Sequence, residues 1–310
     1  MAIKDFIDIA DFTPAQLGGL LDRALADKKL FRQGKLPASL PHKVLAMIFE
    51  KPSLRTRVSF ETAMTHLGGH AISLTQSDIG LGQREPAQDA ARVLGRICDG
   101  IMARTFSHQL VVDLAGYSPR PVINGLTDYS HPCQAMADIM TGMELRGDLK
   151  EAKLVFIGDG NNVARSLAML CALLGIEFVL ACPKGYEFAA EFTAGVKARC
   201  PQARLSQTGE PLSAVKGAAI VYTDTWVSMG QEKEKARRVK DFKGFQINPH
   251  LLAGAPKDAL VMHCLPAYRG YEIAEESMEA HADCIFTEAE NRLHFQRSLL
   301  AVLLGEGGIE

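Results

Sequence analysis

The stretch Leu154–Ala181, with the sequence LVFIGDGNNVARSLAMLCALLGIEFVLA, has the pattern of a strand, a helix and a second strand. The apolar runs Leu154–Ile157 and Phe178–Ala181 are typical of buried strands, and Val163–Leu174 between them has the length of a helix. Two strands joined by a helix lie parallel, because the helix carries the chain back along the face of the sheet. The stretch therefore predicts an α/β fold built on a parallel sheet.

Strands and helices alternate in the same way on both sides of this stretch. Further strands are predicted at Val44–Phe49, Ala71–Leu74, Ile101–Ala103, Pro121–Asn124, Ala219–Thr223 and Leu260–His263. Helices are predicted at Pro14–Lys29, from Ser53 to the Gly68-Gly69 pair, and at Pro86–Ile97, Ser107–Leu114, Pro132–Arg146, Ala189–Arg199, Glu234–Phe242 and Glu288–Leu304. The alternation predicts two doubly wound parallel sheets, one in each half of the chain.

A polar break, Arg146-Gly147-Asp148, indicates the boundary between the two halves. We expect a first domain over 1–146, a second over 147–287, and a C-terminal helix within 288–310 that crosses back to pack on the first domain. Apolar spacing also predicts which helix faces are buried. In the helix after Ser53 the inward residues are predicted to be Leu54, Val58, Met64 and Leu67, and in the helix Pro86–Ile97 they are Ala90, Val93, Leu94 and Ile97.

The composition argues against several classes of protein. A net charge of −2 gives no reason to expect nucleic acid or an anionic membrane as a partner. The apolar run Leu167–Ile176 is far shorter than the ~20 residues that cross a bilayer, and the acidic residues near the start do not fit a targeting peptide. Seven cysteines without a C-x-x-C pair indicate reduced thiols rather than disulfides or a zinc site. We therefore expect a cytoplasmic protein.

Ser53-Leu54-Arg55-Thr56-Arg57 begins a helix directly after a strand. The first turn of a helix attracts anions through its unpaired N–H groups and its dipole. Ser53 and Thr56 add hydroxyls, Arg55 adds a guanidinium that can bind phosphate with two hydrogen bonds, and Arg104 ends a nearby strand. This arrangement predicts a phosphate site. A capped helix with solvated arginines, and a salt-bridged Arg104 at the rim of the sheet, would give the same sequence.

His131-Pro132-Cys133-Gln134 places an imidazole and a carboxamide at the start of another helix. A neutral imidazole and an amide can both donate to one developing oxyanion. For an isolated His-Pro pair, however, a capping histidine followed by a surface glutamine is the commoner structure.

Gly158-Asp159-Gly160-Asn161-Asn162 follows a strand, as a dinucleotide-binding turn would. The third glycine of G-x-G-x-x-G is replaced by Val163, and the next strand ends without an acidic residue for a ribose. We therefore interpret the segment as a tight turn that presents Asn162 to a small ligand. The alternative role of Asn162 is a helix cap.

Asp224 ends a strand and is followed by the loop Ser228-Met229-Gly230. A carboxylate at this place can hold an ammonium group or help to remove its proton. Cys264, in the sequence His263-Cys264-Leu265-Pro266, follows the strand Leu260–His263. A single buried cysteine is more often a small apolar residue than a nucleophile, so covalent catalysis is the weaker interpretation.

Taken together and in this order, the four motifs resemble those of the aspartate/ornithine carbamoyltransferase family, and in particular its ornithine-specific members. The family motifs S-x-R-T-R, H-P-x-Q, D-x-x-x-S-M-G and H-C-L-P are matched by Ser53–Arg57, His131–Gln134, Asp224–Gly230 and His263–Pro266. Three further ligands of the family, two arginines and an asparagine, are matched by Arg104, Arg292 and Asn162. The resemblance covers nearly the full length of the chain.

The resemblance implies a role for each matching residue. Carbamoyl phosphate would be bound by Ser53, Leu54, Arg55, Thr56, Arg104, His131, Pro132, Cys133, Gln134, Cys264, Leu265 and Arg292. Ornithine would be bound by Asn162, Asp224, Ser228 and Met229. The residues expected to act in catalysis are Arg104, His131, Asp224 and Cys264.

The resemblance also implies the reaction and the assembly. Transfer of the carbamoyl group to the side-chain amine of ornithine would give citrulline and phosphate, in arginine biosynthesis, without a metal or an organic cofactor. A carbamoyltransferase for aspartate or putrescine, and a non-catalytic binding protein on the same fold, are the alternatives. The family forms trimers with sites shared between subunits, and many members place Gln or His where this chain has Gly80, with Gln83 nearby.

Overall fold

The computed structural model describes residues 3–81, 84–227 and 231–305. It divides the chain into two compact units. Unit 1 combines the residues up to Met140 with those from Glu290 onward, and unit 2 comprises Thr141–Ala289. The division falls within the helix Pro132–Arg146, and the boundary at Arg146 remains a prediction.

The sheet of unit 1 has four parallel strands in the order β2-β1-β3-β4. The strands are β1 (Val44–Phe49), β2 (His70–Thr75), β3 (Gly100–Arg104) and β4 (Val122–Leu126). The chain starts at β1, moves outward to β2, and then continues on the other side of β1. The strand order therefore reverses between β1 and β3, and loops beyond the carboxyl ends of strands at such a point form a crevice suited to ligands.

Helices surround this sheet and close its core. They are α1 (Pro14–Arg32), α2 (Leu54–His66), α3 (Gln76–Ile79), α4 (Ala87–Ile97), α5 (His108–Tyr117) and α6 (Pro132–Arg146). Thr13 and Gln16 form a capping box at the start of α1. β3 and β4 are buried along their whole length, as strands covered on both faces must be.

Unit 2 repeats the plan with five parallel strands in the order β7-β6-β5-β8-β9. The strands are β5 (Lys153–Ile157), β6 (Glu177–Ala181), β7 (Leu205–Thr208), β8 (Ile220–Thr223) and β9 (Leu260–His263). The helices before the last one are α7 (Asn162–Leu174), α8 (Ala190–Arg199), α9 (Pro211–Ala214), α10 (Lys235–Asp241), α11 (Pro249–Leu252) and α12 (Glu275–Ala280). The order reverses between β5 and β8, which places Asp159 and Asp224 at the second crevice.

The last helix, α13 (Ala282–Leu304), begins earlier than predicted and crosses back to the first unit, as predicted. Asn291 accepts a hydrogen bond from the buried Lys28 ammonium at 2.7 Å, and the ring of Phe295 lies 5.8 Å from that of Phe6. The confirmed fold class is thus two doubly wound parallel sheets with a returning C-terminal helix.

The predicted inward faces of two helices were partly wrong. In α2, Met64 and Leu67 are buried, but Leu54 is 75% and Val58 51% exposed, because Thr56, Ser59, Phe60 and Ala63 face the core instead. In α4, Val93 and Ile97 are exposed, and small residues such as Ala87, Ala90 and Ala91 pack inward.

Within residues 3–81, 84–227 and 231–305, no helix is both long and apolar enough to span a membrane.

Candidate active site

The first turn of α2 lies at the reversal point of the unit 1 sheet. Ser53 is the N-cap of the helix, and its hydroxyl accepts a hydrogen bond from the Thr56 N–H at 3.4 Å. Thr56 is fully buried, whereas Arg55 is only partly buried. The helix is therefore capped, as the alternative interpretation of the motif required. The cap places the Thr56 hydroxyl inside the unit, where it contacts two arginines.

Thr56 connects two buried arginines. Its hydroxyl oxygen accepts hydrogen bonds from Arg104 Nη1 at 3.3 Å and from Arg292 Nη2 at 2.9 Å. Arg292 also donates to the Gln134 side-chain oxygen at 2.9 Å, and the Gln134 amide donates to Asp138 at 2.8 Å. These bonds bring together residues from β3, α2, α6 and α13. We call Arg55, Thr56, Arg104, His131, Gln134 and Arg292 the phosphate cluster.

His131 lies between β4 and α6 and is buried. Its carbonyl accepts hydrogen bonds from the Gln134 and Ala135 N–H groups at 3.1 and 3.2 Å, so the residue begins the helix. Burial, together with the charges of Arg292 and Arg104, holds the pKa of the imidazole well below its usual value. The ring is therefore neutral near pH 7, which is the state that the proposed oxyanion donor requires.

Lys51 is a further cation that the sequence interpretation missed. It follows β1, and its ammonium lies 4.6 Å from the centre of the Phe106 ring. Burial and the neighbouring charge of Arg104 lower the pKa of Lys51, and Lys51 in turn contributes to lowering the pKa of His131. The position between a strand end and the capped helix was a signal that could have identified it.

Two residues of the H-P-x-Q motif have structural roles. Pro132 is the first residue of α6 and has no N–H to offer to a ligand. The Cys133 side chain is fully buried, and its thiol donates to the Asn124 carbonyl at 3.6 Å. Burial raises the pKa of this thiol to about 12. Contact of these two residues with carbamoyl phosphate stays a prediction, and for Cys133 it would have to use the backbone.

Asp224 is the centre of the site in unit 2. It follows β8 and is buried, and one carboxylate oxygen accepts from the Cys264 thiol at 2.9 Å and from the Thr225 N–H at 2.7 Å. The other oxygen accepts from the Asn161 side-chain amide at 2.8 Å. Because β8 and β9 are neighbours, the structure brings Asp224 and Cys264 together although forty residues separate them. We call Asn161, Asp224 and Cys264 the amine cluster.

The cap of α7 is Asn161 rather than Asn162. The Asn161 side-chain oxygen accepts from the Ala164 N–H at 2.9 Å, while its amide holds Asp224. Asn162 is the first residue of the helix. Sequence reasoning missed Asn161, because either asparagine of the pair could have been the cap.

The glycine turn before α7 brings two loops close together. The Gly160 N–H donates to the Tyr186 carbonyl at 2.8 Å, and a Cβ at Gly160 would lie 2.9 Å from the Phe188 ring and 3.0 Å from its backbone nitrogen. This close contact explains the glycine without a dinucleotide, in agreement with the sequence interpretation.

Arg238 on α10 joins that turn to the segment after β8. Its guanidinium donates to Asp159 at 2.8 Å and to the Trp226 carbonyl at 3.0 Å. Burial raises the pKa of Asp159, and Asp224 adds to this effect, while Arg238 opposes it. The predicted ornithine ligands Ser228 and Met229 come just after this segment and lie outside the described residues.

Gly80 occupies the position at which many members of the family have Gln or His. Gly80 ends α3 with φ +64°, and a Cβ there would lie 2.8 Å from the Arg84 Cβ. A larger side chain would therefore be strained with this backbone. Gln83, which is near Gly80 in the sequence, lies outside the described residues.

A group of possible metal ligands also lies in unit 2. Among the described residues, Asp224, His263 and Cys264 offer ligand atoms within 4.8 Å of one another. The His263 ring, however, accepts from the Leu265 N–H at 2.9 Å through Nδ1 and contacts Glu272 at 3.1 Å through Nε2. Both ring nitrogens are engaged, so the group is poorly suited to a metal.

Two family models match the chain. The carbamoyl-P binding domain of aspartate/ornithine carbamoyltransferases matches residues 4–144, and their Asp/Orn binding domain matches residues 150–303. The ornithine carbamoyltransferase of Methanosarcina mazei is 48% identical over 301 residues, which are 97% of this chain and 99% of the relative. The chloroplastic enzyme of Pisum sativum is 47% identical over 98% of this chain and 81% of its own length.

A solved structure gives the same result. The ornithine carbamoyltransferase from Pyrococcus furiosus superimposes with a TM-score of 0.94 at 44% identity, covering 99% of this chain and 98% of that one. The fold, the phosphate cluster and these matches define a carbamoyl-group transferase. The chain belongs to the aspartate/ornithine carbamoyltransferase family, which confirms the resemblance found in the motifs.

Proposed function

We propose that the protein transfers the carbamoyl group of carbamoyl phosphate to the side-chain amine of L-ornithine, giving L-citrulline and phosphate. The observation that carries this proposal is the opposite charge of the two clusters. The phosphate cluster surrounds a neutral imidazole with arginines, whereas the amine cluster is centred on a carboxylate. A relative from Pyrococcus furiosus is named anabolic, which supports a biosynthetic direction.

In this proposal the phosphate cluster binds the leaving group and polarises the carbonyl. Arg55, Arg104 and the first turn of α2 hold the phosphate, with Ser53 and Leu54 contributing backbone N–H groups. His131, Gln134 and Arg292 donate to the carbamoyl group, so that negative charge developing on its oxygen is stabilised in a site that is already organised. A neutral imidazole suits this task, because it donates a hydrogen bond without losing a proton to the product.

The amine cluster would prepare the nucleophile. The ornithine side-chain amine resembles that of lysine, with a reference pKa of about 10.4, and it must lose a proton before it attacks. Asp224, held by Asn161 and Cys264, would bind the ammonium group and assist that loss. Attack on the carbonyl carbon gives a tetrahedral intermediate, which then expels phosphate. Asn162, Ser228 and Met229 would bind the amino-acid end.

A panel of acceptors tests the assignment. Purified protein is given carbamoyl phosphate with ornithine, aspartate or putrescine, and the carbamoylated product is measured. We expect citrulline to form with by far the highest kcat/KM, because Asp224 would repel the carboxylates of aspartate. Preferential use of aspartate or putrescine would replace the proposed acceptor, and no product with any acceptor would favour a binding protein.

We also propose a cytoplasmic homotrimer, or a multiple of it, with sites shared between subunits. Unit 1 leaves apolar side chains exposed on two helices, including Leu54 at 75% and Ile97 at 72%, and subunit contacts would cover such residues. Light scattering on purified protein should give a mass of three chains or a multiple. An active monomer would contradict the proposal.

A further inference from the structure

The backbone beside the Cys264 thiol has an uncommon conformation. Leu265 has φ +57°, in the left-handed region that residues with a Cβ rarely adopt. Its neighbour Cys264 donates its thiol to Asp224 at 2.9 Å. A strained residue persists only where its surroundings hold it, and here it adjoins the amine cluster.

The His263 side chain holds the backbone of Leu265 in place. The Leu265 N–H donates to His263 Nδ1 at 2.9 Å, and His263 Nε2 lies 3.1 Å from a Glu272 carboxylate oxygen. The His263 N–H donates to Glu288 at 2.9 Å, and Glu288 accepts from the Tyr222 hydroxyl at 3.1 Å. The side chains of His263, Glu272, Glu288 and Tyr222 are all fully buried.

These contacts determine the protonation state of the ring. A backbone N–H can only donate, so Nδ1 must carry its lone pair towards Leu265. The ring proton is then on Nε2 and is donated to Glu272. A doubly protonated ring would place an N–H against the Leu265 N–H and break the contact. With both nitrogens occupied, His263 is not positioned to exchange a proton with a substrate.

We propose that His263 and Glu272 are positioning residues of the amine cluster. Glu272 fixes the tautomer and the orientation of the His263 ring, and Nδ1 then holds Leu265 in its left-handed conformation. That conformation keeps the Cys264 thiol on Asp224, where the ornithine amine is proposed to bind. This inference rests on the proposed function and assigns a role to the histidine of the H-C-L-P motif, which otherwise has none.

The test uses three variants that share a neutral residue 272. Glu272→Gln is the reference, because glutamine still accepts hydrogen bonds but leaves no buried charge when the histidine is removed. His263→Asn in this background keeps a side-chain oxygen that can accept from the N–H two residues later, as in an Asx turn. His263→Leu in the same background fills the space but cannot accept.

A positioning role and a packing role of His263 predict opposite orders of activity for the leucine and asparagine variants. If His263 positions Leu265, the leucine variant should lose about 10²-fold in kcat/KM for ornithine, and the asparagine variant should recover much of it. The KM for carbamoyl phosphate should change little in either. A packing role would make leucine the more active, because an apolar residue suits this buried site better. Equal activity, or higher activity with leucine, would overturn the proposal.

The tautomer provides a readout that does not depend on the reaction. In protein labelled with ¹⁵N-histidine, the His263 signals of the parent should report a neutral ring with the proton on Nε2. The leucine variant assigns the signals by their loss. A proton on Nδ1, or a doubly protonated ring at neutral pH, would disprove the inference. If the parent formed no citrulline, the proposed function would fail while this measurement still decided the arrangement of His263.

Discussion

The phosphate cluster of unit 1 and the amine cluster of unit 2 occupy the same place in their sheets but differ in charge. Each lies where the strand order reverses, beyond β1 and β3 in one unit and beyond β5 and β8 in the other. In unit 1 the neutral hydroxyl of Thr56 bridges two arginines, whereas in unit 2 neutral donors surround the carboxylate of Asp224. The fold thus supplies two equivalent crevices, and the residues at the strand ends decide which charge each one binds.

Burial acts differently on the two sets of titratable groups. In unit 1, burial and the nearby arginines keep His131 neutral. In unit 2, burial and the neighbouring Asp224 raise the pKa of Asp159, and the ion pair with Arg238 opposes this. Burial therefore disfavours a further positive charge on His131 beside the arginines of unit 1, and it disfavours a second negative charge on Asp159 beside Asp224 in unit 2.

The largest effect is expected at the centre of the amine cluster. Asp224→Asn keeps the size of the side chain but removes its charge, so it should lower kcat/KM for ornithine by about 10²–10⁴-fold, as loss of a proton acceptor typically does. Steady-state kinetics with each substrate varied in turn measure this. Asp258→Asn, which changes the largely exposed carboxylate of an ion pair with Arg146, is the matched control and should behave like the parent.

Arg55→Ala tests the other side of the comparison. Loss of one donor to developing charge typically costs about 10²–10³ in rate, and here the loss should appear in kcat/KM for carbamoyl phosphate. Arg57→Ala is the control in the same helix, because Arg57 is exposed and bound to Glu61 at 2.9 Å. Equal losses in both variants would mean that general charge, rather than the first turn of α2, binds the phosphate.

A smaller effect should separate the two roles of Asn161. Asn161→Ser retains a helix cap but is too short to hold Asp224, whereas Asn161→Ala loses both contacts. We expect about a 10- to 10²-fold loss in kcat/KM for ornithine in both, since a hydrogen bond to a charged group is worth about 1.5–3 kcal/mol. Only the alanine variant should also lose about 1 kcal/mol of unfolding free energy, as measured by urea denaturation. Parental ornithine kinetics in the serine variant would remove Asn161 from the amine cluster.

The smallest effect concerns the dependence of stability on pH. The pKa of His131 is lower in the folded protein than in the unfolded chain, so the unfolded chain binds the proton more readily. Above the pKa of the unfolded chain, about 6.5, this difference in proton binding does not affect stability. As the pH falls from there towards the pKa of His131 in the folded protein, it lowers the free energy of unfolding by an increasing amount. His131→Gln should therefore lose less unfolding free energy than the parent between neutral and mildly acidic pH. Parallel curves for the two proteins would show that His131 is not held neutral by the fold.

Sequence patterns predicted the elements that continuous apolar runs define. β1 and β9 have the predicted bounds, as does α6, because buried strands and a proline at the helix start leave clear signals. β7 was missed, since Leu205–Thr208 is a short, partly exposed edge strand with one apolar residue. Val58 and Ile97 were placed inside wrongly, because apolar spacing alone does not tell a helix face that packs on the core of its own chain from one that stays exposed.

The site residues that belong to the sequence motifs or match the family's other ligands could be predicted from the sequence. The structure connects Arg104, Thr56, Gln134 and Arg292, which the motifs had assigned to one ligand, but it also places Lys51 near Arg104. Asn161 and Glu272 were not identified, because each meets its partner, Asp224 or His263, only in the folded chain. Such contacts depend on side-chain geometry, and no local spacing encodes them.

Calorimetry with an unreactive phosphonate analogue of carbamoyl phosphate tests most directly whether the phosphate cluster alone binds the anion. The analogue is titrated into the parent, into Arg55→Ala and into Asp224→Asn. The account predicts that Asp224→Asn binds it as the parent does, while Arg55→Ala binds it far more weakly, because only unit 1 holds the phosphate. Parental binding by Arg55→Ala, or a comparable loss in Asp224→Asn, would contradict the assignment of the anion to unit 1.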